Sequence, residues 1–513
     1  MEINTNHINI KFGRVISSVK NYLSKKINSS FNYSQEAILE RLVQYFAFLS
    51  LPAYSKSIKK DSKPSLIDFP DSSYVINLKT ASLEIETGRV LISRSKIIRQ
   101  VGIFLIHWSI CLLAIIFPKK SYNNSKIVLV YGVGEESIIS NNTSDKFISY
   151  CKKSKIIPLR TNNNLFIECS SYQKLTNSEN YYFCKRPLLN SIRRVRISFS
   201  SRMKIFIIHI LLILKYSIAA FRSPHILFIS KEIAYTGIVK ELDKQKKIEA
   251  FIFTCSSYLD QPLWTRELVN SKVHMIWYAQ AWKPNTYKVD KLESHGPNLP
   301  WIRVDTHWVW TNKFAEYLVS LGLQSKFEVV GSILWYLPIL KKKTKSHFHI
   351  SIFDISPFSD EVALEYGQIT NYNNPNNLFA FLDNTIEVIN NIGKELSVPI
   401  EISLKQKRSF KSIYSKEYYS HVEQLSNKGI IELVNPSANI YEMISSSHVV
   451  IAYPFTSPVY VANELNVPSI FYDPTDSICN HNFSDLNSLI DFVSTKKLLH
   501  ESILSLLIKS SNN

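Results

Sequence analysis

The chain has 513 residues, 45% of them hydrophobic and 20% charged, which calls for packed cores in about two to four domains and excludes a disordered or fibrous polymer. Lys and Arg outnumber Asp and Glu by 60 to 42, a formal net charge of +18, so the favoured partners are anionic: phosphorylated substrates or an acidic membrane face. No helix-turn-helix, zinc-finger or RNA-recognition signature accompanies that charge, which argues against nucleic acid as a partner.

The opening stretch "MEINTNHINIKFGRVISS" has no apolar segment of the kind a secretory signal needs. Residues 1–125 read as a mainly helical region. Within it "YSQEAILERLVQYFAFLSL" (Tyr33 to Leu51) has amphipathic spacing, and no chemistry is visible there. Two windows stand out for apolarity, 101–117 ("VGIFLIHWSICLLAIIF") and 205–221 ("IFIIHILLILKYSIAAF"). Each falls short of the roughly 20 residues that a spanning helix wants. The second carries Lys215, which is costly in lipid. Arg94, Lys96 and Arg99 precede the first window and Lys119 and Lys120 follow it. Arg193, Arg194, Arg196, Arg202 and Lys204 precede the second, and Arg222 follows it. Positive charge on both sides gives no orientation. Three readings stay open: buried helices, a surface docked on anionic lipid, or true spans. The six cysteines show no C-x-x-C pairing and read as reduced, cytosolic thiols.

From residue 126 short β-rich runs alternate with helical ones. "KIVLVYGV", "HILFIS", "EAFIFTCSS", "VHMIWYAQ", "HWVWT" and "FEVVG" are expected strands, and "KEIAYTGIVKELDKQ" and "NKFAEYLVSLGL" expected helices. That alternation indicates parallel βαβ units, hence an α/β fold with a Rossmann-like domain over 126–340. The basic, polar run "KKKTKSH" marks a linker at 341–348. A second series follows over 349–513: strand "HISIFDISPF", helix "NNLFAFLDNTIEVINNIGKEL", strand "VPIEISLKQKR", strand "GIIELVNP", helix "SANIYEMISSS", and then "VVIAYPFTSPVYVANELNVPSIFYD". Two Rossmann-like domains facing a cleft are the economical reading.

In open parallel sheets ligands sit outside the carboxyl ends of strands. Three such ends fall together in the second domain: Lys405, Lys407 and Arg408 after one strand, Asn435 and Pro436 after the next, and Thr456 and Ser457 after the third. Pro454 closes its strand, and Pro458 suits the first position of the next helix, with Ser457 as its N-cap. Free amides at a helix start beside two hydroxyls make an anion site. The three cations match a diphosphate. Glu464, two turns on, is placed to accept hydrogen bonds from ribose or sugar hydroxyls. Taken singly, a Ser-Pro cap and a Lys/Arg run are ordinary features; their shared place at strand ends carries the reading.

"YPFTSP" resembles the signature of the PFTS-motif polysaccharide biosynthesis proteins. "WYAQ", "VWTNKFAEYL", "VVGSILW", "FDISPF" and "SLKQKR" are further similar pieces, so the resemblance runs over about 225–475 and leaves out the first 125 residues. It implies a GT-B-like glycosyltransferase of bacterial surface polysaccharide synthesis, with the nucleotide-sugar donor on the C-terminal domain. From the family only the donor-loop role is carried over, to Thr456 and Ser457. No Asp-x-Asp occurs, so metal-independent handling of the leaving diphosphate is expected, with no cofactor and no metal.

An inverting transferase needs a base on the acceptor hydroxyl. Candidates lie at strand ends of the first domain: Glu232, Asp260, His295, Asp305 and His307, of which Asp260 and His295 are favoured. Seven of the eight Trp lie between Trp264 and Trp335. Those in loop-like stretches, Trp264, Trp282 and Trp301, are the expected stacking platforms for an acceptor sugar. The expected function is transfer of a sugar from a nucleotide-sugar donor to a lipid-linked surface glycan, on the cytoplasmic face of the membrane. A transferase of CDP-linked polyol phosphates, a non-catalytic scaffold and a nucleotide-sugar epimerase are the alternatives.

Overall fold

The structure is a computed structural model that describes residues 35–45, 72–76, 90–118, 126–132, 154–160, 163–169, 180–222, 224–254, 261–277, 302–320, 322–333, 347–360, 373–436, 438–454, 456–478 and 489–511, together with positions 24, 151 and 362. Helix α1 covers 35–45. Strands β1 (Ser72–Ile76) and β2 (Val90–Ser93) form an antiparallel pair in a region read from sequence as mainly helical. Helix α2 (Arg94–Ile116) follows directly.

The first domain is built on a seven-stranded, wholly parallel sheet, in the order β5-β4-β3-β6-β7-β8-β9. Its strands are β3 (Ile127–Tyr131), β4 (Asn164–Glu168), β5 (Tyr181–Cys184), β6 (Ile248–Thr254), β7 (Lys272–Ile276), β8 (Thr306–Val309) and β9 (Lys326–Val329). Its helices are α3 (Pro187–Arg194), α4 (Phe199–Arg222), α5 (Ser230–Lys244) and α6 (Asn312–Ser320). β3 reads IVLVY and is buried at every position, as expected of a central strand covered on both faces. The expected strand "HILFIS" is instead a 3-10 segment, Pro224–Ile229, leading into α5. A short apolar run behind a proline fits a buried turn as well as a strand, and periodicity cannot separate them.

The second domain has six parallel strands in the order β12-β11-β10-β13-β14-β15. They are β10 (Phe348–Phe353), β11 (Ile400–Lys405), β12 (Glu432–Val434), β13 (Val449–Ala452), β14 (Ser469–Tyr472) and β15 (Ile490–Val493). Helices α7 (Pro375–Leu396), α8 (Lys416–Asn427), α9 (Ile440–Ser445), α10 (Ser457–Glu464) and α11 (Lys496–Ser511) complete it. α7 shows why these residues make a helix. The Asn374 side chain accepts from the Asn377 amide at 2.9 Å, Pro375 opens the first turn, and Leu378, Phe381, Leu382, Ile389 and Ile392 line one buried stripe. Of the expected linker 341–348, residues 341–346 lie outside the described residues.

Packing ties the N-terminal region to the first domain. Ala37, Ile38, Leu42 and Val43 of α1, and Phe104, Trp108, Cys111 and Ile115 of α2, share one core with β3, β6, α4 and α5. The opposite face of the first sheet joins the second domain in another core, running from Val128, Val130 and Ile252 to Val459, Tyr460 and Phe471. A third core lies between the second sheet and α7, α8 and α11.

The two apolar windows become α2 and α4, both long and apolar enough to cross a membrane. Each buries only one stripe. Phe104, Trp108 and Cys111 of α2 and Ile205, His209, Leu212 and Tyr216 of α4 face the core. Leu105 and Ile106 on α2 and Leu211, Leu214 and Ile218 on α4 are each 58–59% exposed, and Phe221 is 93% exposed. Fully buried helices are therefore not what forms. Arginines hold the end of α2: Arg202 donates to the Ile115 carbonyl at 2.9 Å and Arg193 to the Phe117 carbonyl at 3.1 Å, cations against the negative helix end.

α4 lies so close to α5 that a Cβ on Gly237 would come within 2.9 Å of Leu212 Cδ1 and 3.0 Å of Ile208 Cγ2. Gly237→Val is expected to overpack this seam and cost about 1–3 kcal/mol. Urea denaturation of the full chain checks it; an unchanged midpoint would mean that α4 does not pack on α5.

Candidate active site

β10 lies between β11 and β13, so their carboxyl ends are neighbours. Asp354 follows β10, Gln406 follows β11 and Tyr453 follows β13. Asp354 is buried. Its Oδ1 accepts the Lys407 amide at 2.7 Å and its Oδ2 the Tyr418 hydroxyl at 3.1 Å. Burial pushes this carboxyl up to about 7, against the pull of those two hydrogen bonds and of the charges on Lys405 and Lys407.

Lys405, the last residue of β11, is buried and donates to the Pro436 carbonyl, so two of the expected strand ends are joined by one bond. Lys407 and Arg408 continue into an exposed loop. There Arg408 Nη1 donates to the Tyr414 hydroxyl at 3.2 Å, and Tyr419 donates to the Arg408 carbonyl at 2.8 Å. Asp354 thus fixes the backbone that carries these two cations.

Thr456 and Ser457 open α10, one position earlier than expected. Thr456 is the N-cap residue and Ser457 the first helical one, with Pro458 behind it. The Thr456 hydroxyl donates to the Tyr453 carbonyl at 2.8 Å and makes no cap bond to the helix amides. The first-turn amides of α10 therefore have no side-chain cap, which keeps their positive end available to an anion.

Glu464 is at the far end of α10, about 10 Å along the axis from Ser457 at ~1.5 Å per residue. Its Oε1 accepts the Ser332 amide at 2.9 Å and its Oε2 the Tyr441 hydroxyl at 3.3 Å. The expected ribose acceptor is thus also a tie to the first domain. A side chain on Gly331 (φ +80) would approach that carboxylate to 3.2 Å, so glycine suits both the backbone and the space. Beside this tie Trp310, just past β8, meets Tyr460 of α10 edge to face at 6.2 Å.

Sequence reasoning missed the polar atoms that this arrangement leaves unmet. Among the described residues, Ser356 Oγ and Gln406 Nε2 are buried with no hydrogen-bond partner, as are Trp310 Nε1, the Tyr460 hydroxyl and Asn463 Oδ1. Each such group costs about 1–3 kcal/mol unless a ligand or water meets it. Ser356 lies in "FDISPF" and Gln406 in "SLKQKR", so both motifs were visible, but not which atoms they strand.

On the first-domain side Asp260, His295, Trp282 and Trp301 lie outside the described residues. Trp264 is not in an open loop. It sits on a 3-10 turn, 4% exposed, with Tyr131 and Phe251 rings at 5.4 Å and Tyr235 at 5.8 Å. The turn folds the indole in among β3, β6 and α5, where it borders a cavity instead of standing in an open loop. Asp305 accepts the Val273 amide at 2.8 Å and pairs with Lys272. His307 is buried and accepts from Trp277 Nε1 at 3.0 Å. Both are structural.

A family model described as "Polysaccharide biosynthesis PFTS motif protein" matches residues 207–502. Several solved structures are similar. HepE from Anabaena, solved with UDP-glucose, is 10% identical, with 76% of this chain and 91% of that one covered and a TM-score of 0.39. The UDP-GlcNAc 2-epimerase of Methanocaldococcus jannaschii is 12% identical, with 74% and 92% covered and a TM-score of 0.36. A TarM mutant from S. aureus, solved with UDP among its ligands, is 13% identical at a TM-score of 0.32; 54% of this chain is covered, and the match spans only about half of that protein (52%). No curated protein matches the chain.

The Asp354 carboxyl supplies a pH test. Its folded value lies above the ordinary one, so the folded state holds the proton more tightly, and stability falls as pH rises from near 4 to about 7. Asp354→Asn removes that slope. The Tm difference, variant minus wild type, is expected to move in the variant's favour between pH 5 and pH 8. A difference that moves the other way would mean that the carboxylate is the form the fold prefers.

Proposed function

We propose a transferase role for this chain, which belongs to the polysaccharide biosynthesis PFTS motif family: it moves a sugar from a nucleotide-sugar donor, held by the second domain, to a lipid-linked surface glycan. One observation carries this reading. Three cations, an uncapped helix start and two unpartnered buried polar atoms converge at the adjoining carboxyl ends of β10, β11 and β13. That is the composition of a diphosphate site next to a group that needs hydrogen bonds.

As the sugar–phosphate bond breaks, negative charge grows on the leaving diphosphate. Lys407, Arg408 and the α10 amides stabilise it in place, and buried Lys405 adds its charge from below. This electrostatic set makes a divalent metal unnecessary, so transfer is expected to persist in EDTA. The acceptor hydroxyl attacks the sugar carbon, and its proton passes to a base that we assign to Asp260 or His295.

We place the enzyme on the inner face of the cell membrane, with the exposed stripes of α2 and α4 in the lipid interface. Arg99, Arg196, Lys204 and Arg222 are exposed around those stripes, complementary to anionic headgroups. Lys215, exposed on α4, snorkels from the same face.

Two measurements test this. A thermal-shift screen of nucleotides and nucleotide sugars is expected to find one class that raises Tm, a ligand at a hundredfold its Kd adding about 2.7 kcal/mol. Lys407→Ala/Arg408→Ala should abolish that shift. If no nucleotide stabilises the wild type, the donor reading fails and a non-catalytic scaffold replaces it. Separately, the chain is expected to co-sediment with phosphatidylglycerol vesicles. Leu105→Asp/Leu214→Asp should release it, and so, in part, should high salt. Equal binding by wild type and variant would remove the docking surface.

A further inference from the structure

A cavity of about 210 Å³ opens in the first domain, at the carboxyl ends of β3, β4 and β5. It is bordered by Arg41, Lys185, Arg186 and Lys231 against two carboxylates, Glu168 and Glu232. The carboxylates are committed. Glu232 takes Arg41 Nε at 2.9 and 3.1 Å and the Leu263 amide at 2.7 Å, and Glu168 takes the Gly132 amide at 3.1 Å. Among the described residues that border it, four side chains are cationic and two are carboxylates, and Lys185, Arg186 and Lys231 are exposed. Two helices also start here. α3 begins behind Arg186 without a side-chain cap, and α5 continues from the 3-10 segment Pro224–Ile229; their first turns, Pro187–Leu188 and Lys231–Glu232, border the opening. The space admits a phosphate or diphosphate.

Its position supplies the second half of the reasoning. α2 packs on both α3 and α5, the two helices that open the cavity. His107 of α2 is held down at about 4 by burial and by the charges of Lys231 and Arg186, so the cavity cations act directly on that helix. Ile106, about 100° round α2 from His107, is exposed and apolar, and Leu105 is exposed on the far side of the helix. The apolar stripe of α2 therefore begins about a quarter turn from the side that meets the cavity cations.

We propose that this cavity binds the phosphate or diphosphate of a lipid acceptor, with Lys185, Arg186 and Lys231 on the phosphate and the hydrocarbon chain leaving along the α2–α4 stripe. The inference rests on the transferase reading above and names its acceptor class. It also gives α1 a part in the site, since Arg41 neutralises Glu232 and keeps the cavity positive.

The test is direct binding of farnesyl diphosphate to the full chain, beside farnesol and inorganic diphosphate, with nucleotide binding measured on the same samples. Farnesyl diphosphate is expected to bind more tightly than either fragment. Lys185→Ala/Arg186→Ala/Lys231→Ala should weaken it about tenfold or more, as loss of close charge contacts does, and leave nucleotide binding unchanged. The single exposed change Lys231→Glu should act in the same direction, which guards against a misfolded triple variant. Farnesol binding as tightly as the diphosphate would overturn the proposal, because the tail alone would then be recognised. Inorganic diphosphate binding as tightly would overturn it too, as a site for free anions. Unchanged binding by both variants would place the lipid elsewhere. Lipid binding lost in the variants of a chain that binds no nucleotide would uphold the cavity while removing the donor site.

Discussion

Parallel pairing in both sheets governs what this molecule can do. Because no strand in either sheet runs backwards, every carboxyl end of a sheet lies along one edge, and residues far apart in sequence arrive there together. Asp354, Gln406 and Tyr453 become neighbours this way, as do Tyr131, Glu168 and Lys185. The two edges are then locked to each other by contacts of opposite kinds. Trp310 against Tyr460 is apolar packing, while the Ser332 amide on Glu464 is a charge-assisted hydrogen bond. A shared core runs beneath these contacts.

Around Asp354 the site stores an electrostatic conflict. Burying a carboxyl disfavours its charge, whereas Lys405, Lys407, an amide and a tyrosine hydroxyl all favour it. The balance settles near neutrality, so small changes in the neighbouring charges alter its protonation. The Lys407 amide, which donates to this carboxyl, ties its ionisation to the loop that carries Lys407 and Arg408.

The βαβ alternation, both sheets and the strand-end cluster were legible because buried parallel strands are short continuous apolar runs separated by helical spacing. β4 and β5 were not, since "NLFIE" and "YYFC" are four or five residues long and sit among polar stretches. Glu464 was read as a ligand group because its distance along α10 is all that sequence shows. Its bond to Ser332 depends on how the domains pack. Trp264 failed for a similar reason: a Pro-bounded stretch looks like a loop until the turn folds its indole inward. α1 looked chemically silent because amphipathic spacing reports the buried face. Arg41 acquires its role from Glu232, 191 positions away.

α2 and α4 show why hydropathy alone left three readings open. A helix apolar on all sides is compatible with a core, a span or an interface. The packing separates them: one stripe of each helix is fixed to α5 and the first sheet, so these helices cannot leave the domain to cross a bilayer without dismantling that core. The outer stripe nevertheless stays apolar, and exposed apolar area on this scale is costly in water. Any surface that covers the stripe relieves that cost, and the same α2 packs on α3 and α5, beside the carboxyl ends of β3 to β5. The same parallel architecture thus sets the carboxyl edge of the first sheet near an exposed apolar face and that of the second beside a helix start.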